Sequence, residues 1–101
     1  MNDRVVEELE RYWEPDEGVF WRLREGVLDP RGLEEVAARL DSIEVSEDAL
    51  LPRRFVSLVW FIPLFVGWQR DRVRERGGDM QEFAKQQNRL EGAVQRLLGV
   101  P

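Results

Sequence analysis

The chain contains no cysteine and no histidine. The first absence excludes disulfides, thiolate nucleophiles and thiolate metal sites. The second removes the side chain most used as a general base and as a metal ligand near neutral pH. Threonine is missing too, and nothing is present to activate Ser42, Ser46 or Ser57 except Lys85, the single lysine. No Gly-x-Gly-x-x-Gly or Walker pattern offers a phosphate cradle. Carboxylates are abundant, but a di-iron bundle needs Glu-x-x-His twice. The acidic stretch Asp41 to Asp48 lacks the central glycine and alternating ligands of a calcium loop. The expectation is a chain with no catalytic residues, no metal site and no cofactor.

Long hydrophobic runs are also missing. The longest uncharged stretch, Phe55 to Trp68, has fourteen residues, whereas a membrane span needs about 20. No apolar leader follows Asn2-Asp3-Arg4, so a cytoplasmic protein with no membrane span is expected.

What is present suits one helical domain over residues 1–101. Of the 101 residues 43% are hydrophobic and 35% charged, enough to bury a core and remain hydrated. The net charge is −5, unevenly placed: residues 1–50 hold 6 Arg against 15 Asp+Glu, and residues 51–101 hold 9 Lys+Arg against 5 Asp+Glu. An acidic excess is poorly suited to nucleic acid, which is bound by neutralising phosphates. It suits a basic protein partner.

Apolar spacing and stop signals predict about five helices, short, short, medium, long and long. Residues 3–13 carry Val5, Val6, Leu9, Tyr12 and Trp13 at helical spacing, and Pro15 ends them. Residues 17–25 read as a short helix, with a brief strand as the alternative, closed by Gly26. Asp29 caps a helix with Pro30 at its first position and Leu33, Val36, Ala37 and Leu40 on its buried stripe. Residues 44–52 form a loop with one turn near Ser46 to Ala49. The fourth helix runs from 53 to 76 and stops at Gly77-Gly78. The fifth starts at the cap Asp79, with a seam of Met80, Phe83, Gln87, Leu90, Val94 and Leu97. These last two helices are expected to form a long antiparallel hairpin. The predicted core is Leu9, Phe20, Leu23, Leu33, Val36, Leu40, Leu58, Ile62, Phe65, Phe83, Leu90, Val94 and Leu97.

The fourth segment is apolar on both sides. Phe55, Leu58, Val59, Ile62, Phe65 and Val66 share one face, which Gln69 and Val73 continue. Ser57, Trp60, Phe61, Leu64, Gly67 and Trp68 share the other. Such a helix sits at the centre of a bundle, or has its second face covered by another chain. Four helices around it would bury both faces within one molecule; otherwise Trp60, Leu64 and Trp68 meet an oligomer partner. Pro63 predicts a kink or break after Ile62. The cations Arg70, Arg72, Arg74 and Arg76 fan around their helix and form no single basic stripe.

A small acidic chain without catalytic groups fits the profile of a non-catalytic protein-binding module of the immunity or antitoxin type, which masks a basic partner with carboxylates. The candidate contacts are Glu7, Glu10, Glu14, Asp16 and Glu17, with Tyr12, Trp13 and Trp21 as aromatic anchors. The alternative is a homodimer or larger structural assembly through Trp60, Leu64 and Trp68.

Overall fold

Local end signals place most of the helices. In the computed structural model, which describes residues 2–101, they are α1 (Asp3–Arg11), α2 (Val19–Arg24), α3 (Pro30–Ser42), α4 (Arg53–Trp68), α5 (Arg70–Glu75) and α6 (Met80–Leu98). There is no strand among the described residues. The Asn2 side chain accepts from Arg4 N at 2.7 Å and opens α1. Asp29 accepts from Gly32 N at 3.0 Å and opens α3, with Pro30 in its first turn. Asp79 accepts from Gln81 N and Glu82 N at 3.0 and 3.1 Å and opens α6. Gly26, at φ 87°, closes α2 as Val27 N returns to Arg22 O. Gly77, at φ 78°, closes α5 as Gly78 N returns to Val73 O. Both are the left-handed stop that glycine adopts without a Cβ penalty.

Among the described residues six helices replace the five expected, because the segment over 53–76 divides. The division falls at Gln69 (φ −90°, ψ −2°), whose N–H turns to Val66 O and whose buried side chain donates to Phe65 O at 3.2 Å. No break occurs after Ile62: Pro63 lies inside α4. It removes one ladder donor, but Val59, Ile62 and Val66 press the turns on both sides into the core. Tertiary burial outweighs the local penalty. The segment before Gly77-Gly78 is therefore the six-residue α5, and the helix packed along α6 is α4.

Every predicted core residue is buried, and Val19, Ala37, Phe55, Val59, Val66, Val73 and Ala93 join them. Fully burying a side chain the size of Phe20, Phe55 or Phe83 contributes roughly 1.5–3 kcal/mol each. The polar member of the α6 seam is Gln86, not Gln87. Gln86 lies three residues after Phe83 and four before Leu90, on the same stripe, and donates to Glu82 at 3.2 Å.

The most extensive packing is between α3 and α6. Arg89 reaches Glu34 at 3.2 Å and Asp41 at 2.7 Å, and Arg96 reaches Asp41 at 2.8 Å. Later residues of α3 thus meet later residues of α6, so the two helices run in the same direction. The hydrogen bond from Arg96, then that from Arg89, holds the Asp41 carboxyl below its ordinary range. Partly exposed pairs of this kind supply about 0.2–1 kcal/mol each. Their main effect is on register.

Asp29 yields a pH prediction. Its carboxyl is held below the usual range by the Gly32 N–H first and by Arg22, at 3.0 Å, second. A depressed folded value means that this stabilisation is complete above the unfolded pKa of about 3.9 and fades as the pH falls further. Asp29→Ala should cost about 1 kcal/mol at neutral pH. Its urea midpoint should approach that of wild type as the pH drops below about 4.

Candidate binding surface

The surface begins where α1 ends. Pro15 cannot continue the helix, and the chain turns through Glu14–Gly18, with Gly18 N bonded to Glu14 O and Phe20 N to Tyr12 O. A Cβ on Gly18 would lie 2.5 Å from Tyr12 O and 2.7 Å from Glu14 N, so only glycine fits this corner. Asp16 takes φ 70°, a left-handed conformation costly for most L residues and tolerated best by Asp and Asn. The tight corner holds Glu14, Asp16 and Glu17 exposed at its tip.

The eight residues predicted as partner contacts divide into two groups. Glu7, Glu14, Asp16 and Glu17 are exposed and join no ion pair among the described residues. Glu10 is half-buried and bonded to Arg54 at 3.0 Å, so part of its charge is already compensated. Its neighbour Glu8 is bound to Arg39, whose hydrogen bond lowers the Glu8 pKa. Tyr12 and Trp13 are committed to packing. Trp13 lies 4.5 Å from the Phe20 ring, 4.9 Å from Phe65 and 5.9 Å from Phe61, centroid to centroid. Tyr12 stands edge-on to Phe20 at 6.4 Å, and burial raises its phenol pKa. Trp21 is half-buried beneath the Arg24 guanidinium at 5.3 Å. The indole N–H groups of Trp13 and Trp21 are buried without an acceptor. Tyr12 and Trp13 pack against the core at this corner.

Large exposed apolar side chains lie on α4. Its inner face packs as predicted, but among the described residues the outer face is only partly covered: Ser57, Phe61 and Gly67 are half-buried while Trp60, Leu64 and Trp68 stay exposed, so the arrangement with both faces buried in one molecule is not found. Trp60 is 51% exposed, Leu64 43% and Trp68 62%. They follow one another at intervals of four residues, forming a single stripe. Half-buried Phe61 supports it, edge-on to Trp60 at 5.7 Å and to Trp68 at 5.5 Å. Phe61 also touches Trp13. The two sets of candidates, some fifty positions apart in the sequence, thus meet across one pair of rings. Trp13, Arg54, Ser57, Leu58, Trp60 and Phe61 enclose a groove of about 420 Å³ at this junction. Sequence reasoning misses Phe61: its spacing puts it on the outer face, and only the folded position of Trp13 makes it the link.

Elsewhere the surface is less concentrated. Arg72 donates to Arg24 O at 2.9 Å and Arg74 to Asp71 at 3.3 Å, so the arginine run partly serves α2 and α5. No cluster of three or more acidic side chains among the described residues is arranged to hold a metal ion. No described helix is long and apolar enough to cross a membrane. Comparison with protein-family models, curated proteins and solved structures finds no match to this chain.

Asp16 supplies a local test. Asp16→Gly should raise stability by up to about 1 kcal/mol by relieving the left-handed penalty. The check is an upward shift of the urea midpoint at unchanged slope. The same substitution removes one of the exposed carboxylates, so it should stabilise the fold while weakening any contact made through this corner.

Proposed function

We propose that this chain is a non-catalytic protein-binding module, an inhibitor of the immunity or antitoxin type that covers a basic partner. The reading rests on the open stripe of Trp60, Leu64 and Trp68, together with exposed carboxylates that join no ion pair among the described residues. Tryptophan is favoured at the energetic centre of interfaces, and charged rims raise encounter rates and select partners by sign. The anchors are those of α4; Glu7, Glu14, Asp16 and Glu17 supply the charged flank, with Glu10 contributing less. A cytoplasmic site of action belongs to the same proposal, supported by the cysteine-free composition.

Affinity capture from the source cell tests it. The wild-type chain should retain a basic protein at low salt and release it progressively as ionic strength rises. Retention of no protein, or only of acidic ones, contradicts the reading.

A second reading, a homodimer through Trp60, Leu64 and Trp68, is favoured by the exposure of three large apolar side chains on one helix face. Light scattering at low micromolar concentration decides it. A strict monomer removes this option.

A further inference from the structure

We infer that the α4 stripe and its acidic flank receive an amphipathic helix of a partner protein, apolar on the side that meets Trp60, Leu64 and Trp68 and carrying Lys or Arg on the side that meets Glu14, Asp16 and Glu17. The inference rests on the proposed function and names the chemistry of the partner segment.

Shape comes first. The stripe runs from Trp60 to Trp68, eight residue steps or about 12 Å at 1.5 Å per residue, so it matches two to three turns of a second helix. Apolar side chains spaced at i, i+4 and i+7 on the incoming helix can interdigitate with rings spaced at four. The groove of about 420 Å³ between the end of α1 and α4 has room for one of them; its wall is made by Trp13, Trp60 and Phe61 with Leu58, Ser57 and Arg54, whose guanidinium is paired with Glu10. A β-strand would require an open sheet edge to extend, and no strand exists among the described residues.

Charge then selects the occupant. The acidic corner follows Trp13 directly, and Trp13 touches Phe61 in the stripe's own aromatic cluster. A helix lying on the stripe and reaching past Phe61 to Trp13 is directed toward Glu14, Asp16 and Glu17, which join no ion pair among the described residues. Lys or Arg on that flank gains charge-assisted contacts, and the exposed indoles accept a cation over their faces. A second copy of this chain brings an identical acidic corner beside its own stripe and a net charge of −5. An anionic lipid surface is repelled for the same reason.

Three 14-residue peptides titrated into the full chain test the inference. The first is an amphipathic Leu/Lys helix, the second its Leu/Glu counterpart, and the third the Lys peptide with Gly in place of every Leu. The Leu/Lys peptide should saturate a single site, and the other two should bind at least tenfold more weakly. W60A/W68A and E14K/D16K/E17K, each checked for wild-type circular dichroism, should each lose at least tenfold in affinity for it. Equal binding of the Leu/Glu or Gly/Lys peptide overturns the inference, as does indifference to either variant. So does a dimeric mass for the chain alone that W60A/W68A abolishes, or tryptophan-dependent binding to phosphatidylcholine vesicles. A captured partner that needs Trp60 and Trp68 but is not displaced by the Leu/Lys peptide overturns the helix assignment and leaves the proposed function standing. A captured partner indifferent to both tryptophans overturns both.

Discussion

Replacing Trp60 and Trp68 together by alanine should leave the domain folded and reduce partner affinity by roughly 100- to 1,000-fold. Both side chains are more than half exposed, and truncations at exposed sites usually change stability within about 0.5 kcal/mol. Their edge-on contacts with Phe61 add at most about 1 kcal/mol more apiece. At an interface the balance reverses, because a desolvated tryptophan anchor commonly carries 2 kcal/mol or more. Two such losses amount to about 4 kcal/mol if additive, and 1.4 kcal/mol is tenfold. Gln95→Ala, on the exposed side of α6, is the matched control and should bind as wild type does. Titration of the captured partner, beside thermal melts of each variant, measures both quantities.

The second large effect is on the fold. Phe20 is completely buried and lies under Trp13, Tyr12 and Phe65. Phe20→Ala removes most of a ring from the centre of that cluster and should cost about 3–5 kcal/mol. A domain of this size has roughly 5–15 kcal/mol in total, so the melting temperature should fall by more than about 12 °C. The loss should also reach the surface. Trp13 would lose the ring beneath it, and with it the support that holds the acidic corner beside Phe61. Partner affinity should weaken even at temperatures where the variant remains folded, although Phe20 itself is inaccessible. Denaturation followed by circular dichroism checks the first part, and binding at low temperature the second.

The helices and core were legible because they rest on short-range rules. Asp29-Pro30, Gly26 and Asp79 act within one turn of themselves, and the inner face of α4 follows from 100° per residue alone. The break in the fourth helix was misplaced because proline signals a local cost, while Gln69 breaks the helix through its tertiary position. Its amide is buried and turned back to Phe65 O. The same limit governed Arg39. Its neighbour Glu35, four residues earlier, is the pairing that sequence spacing suggests, yet the guanidinium crosses to Glu8 at 2.6 Å and also donates to Ser42. The acidic corner was found by composition. Which aromatics were free was not, because Trp13, Trp21, Trp60 and Trp68 are alike in sequence and differ only in what the other helices cover.

The outer face of α4 is the proposed working surface. A benzophenone side chain introduced at position 64, between Trp60 and Trp68, tests it most directly when irradiated in the source cell. One dominant adduct with a basic protein is expected, lost when Trp60 and Trp68 are also replaced. The same probe at Ala38, exposed on α3, should give none. An adduct from position 38 with none from position 64 contradicts the account.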